Sequence, residues 1–120
     1  MTLEQFYETI GGDYSEVIGR LMNEHIAKKF VCKFAHDPTY SQLEQAMHLR
    51  HSEEAFIAAH TLKGICLNLG FSELGKSVSE LTELLRPKDD SIKTSTAIRL
   101  FQNIQLDYKN LITMISQLNQ

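Results

Sequence analysis

The C-terminal stretch spaces its apolar residues by four and three: Ala97, Phe101, Ile104, Tyr108, Leu111, Ile115 and Leu118. Such steps follow the 3.6-residue turn of an α-helix and leave one unbroken apolar stripe, the mark of helices packed along one another. No segment alternates with the period of two that a half-buried strand needs, and no internal repeat occurs. The expected fold class is therefore all-α: an antiparallel four-helix bundle with one or two short accessory helices.

Start and stop signals divide the remainder. Thr2 with Gln5 forms a capping box that opens a short helix, and Gly11-Gly12 closes it. Asp13 with Glu16 opens a long helix through Val17, Leu21, Phe30 and Phe34. Asp37-Pro38 pairs a cap with a proline at the first helical position, ahead of Leu43, Ala46 and Met47. Ser52, Glu53 and Glu54 open the next helix, and Gly70 ends it as a left-handed cap. Ser72 begins another, striped by Leu74, Val78, Leu81 and Leu85 and stopped by Pro87. Lys88-Asp89-Asp90-Ser91 is the most loop-like segment. The expected main helices run over about 14–35, 53–69, 73–86 and 94–118, with shorter ones at 3–10 and 38–49.

With 120 residues, 42% of them hydrophobic and 22% charged, the chain suits one globular domain spanning 1–120. A net charge of -3 gives no electrostatic reason to expect nucleic acid. Its one basic cluster, Lys28, Lys29 and Lys33, reads as the wet side of a helix. No apolar run approaches the roughly 20 residues of a membrane span, and the start lacks the pattern of a signal peptide. Cys32 and Cys66 form no disulfide framework, so the expected location is a reducing cytoplasm. A complete four-helix core needs no second chain, so a monomer is expected.

Function concentrates in Ala59-His60-Thr61-Leu62-Lys63-Gly64, continuing to Asn68-Leu69-Gly70-Phe71. At about 100° per residue, Ala58, Ala59, Leu62, Ile65, Cys66 and Leu69 share a core arc, and His60 falls roughly 160° from its centre. The imidazole should face solvent, with Lys63 and Gly64 beside it at helical neighbour spacing. Phe56, Ile57 and Leu67 make that outer face unusually apolar, as a docking site would be. Glycine inside a helix costs about 1 kcal/mol relative to alanine. Steric access for another molecule offsets that cost at Gly64, unless the glycine serves close helix packing within the protein.

The motif His60-x-x-Lys63-Gly64, with Leu69-Gly70 at the helix end and Leu74 beyond, resembles the histidine-containing phosphotransfer (HPt) domain of two-component phosphorelays. The likeness is strongest over about residues 43–85. It implies that His60 takes a phosphoryl group on Nε2 by exchange with the aspartate of a receiver domain, that Lys63 neutralises the group and that Gly64 leaves room for it. It also implies response-regulator receiver domains and a hybrid histidine kinase as partners, docking over Phe56, Ile57, Leu67 and Asn68. No cofactor is expected on this chain, with magnesium only on the partner receiver. Many such domains carry Gln or Glu twenty-two residues after the histidine, where it bonds Nδ1 and orients the ring. Here Thr82 holds that position. It either reaches the ring through water or is an ordinary surface residue, with Ser79 and Glu83 on nearby turns able to substitute.

The chemistry stands without the resemblance. Free imidazole has a pKa of about 6.5, so at neutral pH it offers a nucleophilic nitrogen without a general base. Phosphoryl transfer then asks mainly for positioning and charge stabilisation. No glycine-rich phosphate loop is present, so the expected role is a phosphocarrier rather than an enzyme. Alternatives are a helical module that binds a receiver or kinase without phosphate, and the phosphoacceptor domain of a chemotaxis-type kinase. His25, His36, His48 and His51 complete no recognisable ligand set, so no metal is expected.

Overall fold

The computed structural model describes residues 1–118 and is helical throughout, with no strand among them. The helices are α1 (Leu3–Ile10), α2 (Tyr14–Leu21), α3 (Glu24–Phe34), α4 (Thr39–Leu49), α5 (Ser52–Leu69), α6 (Ser72–Leu85) and α7 (Ser95–Leu118). A short 3-10 turn, Asp90–Lys93, precedes α7 inside the segment expected to be loop.

Local chemistry explains most boundaries. The Thr2–Gln5 capping box forms with both of its hydrogen bonds, and Gly11 closes α1 at φ 72°. Asp13 Oδ1 accepts from the Glu16 amide to start α2. Asp37 Oδ1 accepts from the Thr39 amide at 2.8 Å ahead of α4. Gly70 ends α5 at φ 68°, the left-handed conformation that glycine takes without a Cβ penalty.

The expected single helix over 14–35 is two helices. Met22 adopts φ 76°, and Asn23 then caps a fresh start, its Oδ1 accepting from the Ile26 amide at 2.8 Å. Apolar spacing through Val17, Leu21 and Phe34 masked the break, because an asparagine cap satisfies backbone donors without disturbing the stripe on either side.

The core follows the predicted stripes. In α7, Ala97, Phe101, Ile104, Leu111, Ile115 and Leu118 are buried. Half-buried Tyr108 stacks on Tyr40 with ring centroids 3.7 Å apart, joining α7 to α4. Helix α5 lies between α4 and α6, and α6 also packs along α7. Thus α4, expected as an accessory, delivers Leu43, Ala46 and Met47 to the core. Phe34 of α3 meets both Phe71 and Tyr108 edge-on. The N-terminal helices close on the far end of α5, where Tyr7 donates its hydroxyl proton to the Leu69 carbonyl at 2.6 Å. No described helix is long and apolar enough to cross a membrane.

Candidate functional site

Helix α5 carries the site because its inner face is tied down on both sides. Ala55, Ala58, Ala59, Leu62, Cys66 and Leu69 are buried and Ile65 is half-buried, so the arc expected as core is core. Burial pushes the Cys66 thiol up to about 12, which makes it packing rather than a nucleophile. Glu53 and Glu54 in the first turn complement the positive end of the helix.

His60 is exposed on the opposite face. Among the described residues no hydrogen bond reaches its ring; its contact is Phe56, one turn earlier, with ring centroids 5.9 Å apart and planes tilted by 43°. Ile57 is 56% exposed and Leu67 65%, with Asn68 exposed beside them. A Cβ built on Gly64 would have no atom within 4 Å apart from its own helix backbone and chain neighbours. Close packing within the protein is therefore not why glycine stands there. The close approach belongs to Gly75 of α6, whose Cβ would lie 3.2 Å from Cys66 Cβ.

The lysine comes with company that the motif does not contain. Lys63 Nζ is 3.9 Å from Glu83 Oε1. Glu83 in turn accepts two hydrogen bonds from Arg86, from Nε at 3.0 Å and Nη2 at 2.9 Å. That fork of donors holds the Glu83 carboxyl below its usual range, helped by the charge of Arg86 and the fields of Lys63 and His60. The Arg86 guanidinium carbon sits 5.3 Å from the centre of the Phe56 ring, and Lys88 Nζ sits 4.8 Å from it. Two cations thus lie over the phenylalanine that contacts the imidazole, and Glu83 links one of them, Arg86, to Lys63.

Thr82 is fully buried, not at the surface, and its hydroxyl donates to the Val78 carbonyl at 2.7 Å. The signal was present in the sequence: Thr82 lies one helical turn after Val78 and between Leu81 and Leu85, inside the apolar stripe. Such back-bonding to the preceding turn satisfies a hydroxyl without a partner on another helix. Ser79 is half-buried and lines a cleft with Lys63, Cys66 and Gly75.

Sequence reasoning also missed Arg20. From α2 it donates to the Leu67 carbonyl at 2.9 Å and the Asn68 carbonyl at 3.3 Å, and pairs with Glu16 at 3.1 Å. It therefore meets the last carbonyls of α5, where a cation is favoured. Glu16 one turn earlier was the only local hint.

Among the described residues no three His, Cys, Asp or Glu side chains gather as a metal would require. His51 Nδ1 is 3.0 Å from Glu54, and Arg50 at φ 59° breaks the helix between His48 and His51. No curated protein and no solved structure matches the chain significantly. A family model for the Hpt domain does, over residues 36–120, from just after α3 onward, and this span contains His60, Lys63, Gly64 and the Glu83–Arg86 pair. The chain therefore belongs to the Hpt domain family, the phosphocarriers that perform histidine phosphotransfer in two-component phosphorelays.

Proposed function

We propose that His60 is the phosphoacceptor, exchanging a phosphoryl group with the aspartate of a response-regulator receiver domain. The observation that carries this reading is an exposed imidazole beside a lysine and a glycine with open space around it. Nε2 attacks phosphorus in line; the nitrogen–phosphorus bond forms as the aspartyl oxygen–phosphorus bond breaks, and the carboxylate leaves with the bonding pair. The reverse step returns the group to a receiver. Lys63 offsets negative charge as a point cation, which is how lysine serves phosphate. Gly64 leaves the incoming group a path to the ring.

In this reading Phe56, Ile57, Leu67 and Asn68 form the docking face, and phosphate reaches the chain from a hybrid histidine kinase through its receiver. Magnesium belongs to the partner, and the chain works without a cofactor as a cytoplasmic monomer. Residues 1–120 act as one domain in which α4 to α7 make the antiparallel four-helix bundle. Short connections from α4 to α5 and from α5 to α6 support that arrangement, as does the stacking of α4 on α7 through Tyr40 and Tyr108. Thr82 gives its proton to Val78, so it has none to offer the ring, and the Phe56 contact is what borders the imidazole.

The test is transfer from a phosphorylated receiver to the parent and to His60→Gln. The parent should gain an acid-labile, base-stable phosphoryl group and the variant none. Equal labelling of both would remove His60 from the mechanism. Binding of a receiver with no transfer in either direction would instead make this a docking module that works without phosphate.

A further inference from the structure

Glu83 stands where a phosphate site would be expected to hold none of its own negative charge. Its two oxygens are both engaged by Arg86, and Oε1 also lies 3.9 Å from Lys63. The only lysine within the His60 motif is therefore already paired. A phosphoryl group on a side chain carries about -1.5 to -2 charges at neutral pH. Lys63 and Glu83 together carry no net charge and Arg86 is committed to the same carboxylate, so a phosphoryl group arriving on His60 meets a lysine whose charge is already offset.

We propose that Glu83 is a counter-ion that opposes phosphorylation of His60: it occupies Lys63 and Arg86 in the unphosphorylated protein, and the phosphoryl group must displace it to claim Lys63. This rests on the reading of His60 as phosphoacceptor and adds a regulation of the same site. Two geometric facts make the displacement feasible. The Glu83 side chain is 57% exposed and can swing into water, and Arg86 can hold it there by its bidentate fork while Lys63 turns away. The Lys63–Glu83 separation, 3.9 Å, is also longer than the Arg86–Glu83 one, 2.9 Å, so of the two ion pairs it is the one that yields first. Phosphorylation therefore carries the cost of separating Lys63 from Glu83, which makes phosphorylated His60 a better donor and free His60 a poorer acceptor. Glu83 is not a ring-positioning group here, because its oxygens face Arg86 and, among the described residues, no hydrogen bond reaches His60.

The partner-free test uses phosphoramidate as donor; its nitrogen–phosphorus bond breaks, ammonia leaves with the bonding pair, and the new bond forms to His60. Parent, Glu83→Gln, Lys63→Ala and the double variant are labelled under identical conditions, with His60→Gln as control. Glu83→Gln should be labelled a few-fold faster and lose its phosphoryl group more slowly, the scale expected of an exposed ion pair. The gain should shrink in high salt and vanish in the Lys63→Ala background. A purely structural role for Glu83 would move neither the salt dependence nor the coupling to Lys63. Unchanged labelling of Glu83→Gln, a gain that survives loss of Lys63, or slower labelling that makes Glu83 a ring-positioning residue would each overturn the proposal. If the parent itself takes no label at His60, the phosphocarrier reading falls and this inference falls with it.

Discussion

Gly64 lies within α5 and Gly70 caps its end, and their surroundings could hardly differ more. A side chain at Gly64 would enter open space, whereas one at Gly70 would collide with Val17 Cγ2 and would also have to adopt φ 68°. Gly70 is locked into the junction of α1, α2 and α5, with the Tyr7 ring, the Tyr7 hydroxyl bond to Leu69 and the Arg20 bonds to Leu67 and Asn68 around it. The first glycine has no packing role within the protein and the second is required by the fold. One helix thus has a tethered end and a free face.

The largest expected break in that comparison is Gly70→Ala. Strain at positive φ together with overpacking against Val17 should lower unfolding free energy by about 2–4 kcal/mol, read from chemical denaturation. A neutral result would mean that the junction relaxes and is not a tether. Gly64→Gln should leave denaturation unchanged but slow transfer from a receiver by about tenfold or more, since a misplaced reacting group is that costly. Unaltered transfer would refute the access role of Gly64.

Tyr7→Phe removes the buried hydroxyl and leaves the Leu69 carbonyl without that donor, and should cost about 1–2 kcal/mol of stability with the His60 chemistry intact. Equal losses of stability and transfer would show that tether and face are not separable. The smallest effect is the most discriminating. Gly64→Ala replaces a helix-interior glycine where nothing obstructs the new methyl, so it should stabilise the protein by about 0.5–1 kcal/mol. Destabilisation there would mean that Gly64 has a packing role after all.

Much of this was legible beforehand because it is local. Helix starts and ends depend on a few adjacent residues, so Thr2 with Gln5, Asp13 with Glu16, and Gly70 could be read directly. The inward and outward faces of α5 follow from its own periodicity, which is why His60, Lys63, Gly64, Ile57 and Leu67 stand where the wheel put them. The break at Met22 and Asn23 was hidden by an apolar rhythm that continued across it.

What faces His60 from α6 was a different kind of question. Thr82 and Glu83 are adjacent in sequence yet about 100° apart on a helix, so the rotation of α6 against α5 decides which of them meets the imidazole side. That rotation is set by the burial of Leu74, Val78, Leu81 and Leu85, and it sends Thr82 into the core and Glu83 out to Lys63. The placing of Arg86 and Lys88 over Phe56, and of Arg20 on the last carbonyls of α5, likewise joins residues far apart in the chain.

By itself the sequence determined an all-helical chain, the caps that bound most of its helices, and a histidine with a lysine and a glycine on an exposed face. Only the tertiary structure decided which charges surround that histidine, because side chains on different helices meet through core packing, and no local spacing encodes the angle at which two helices come together.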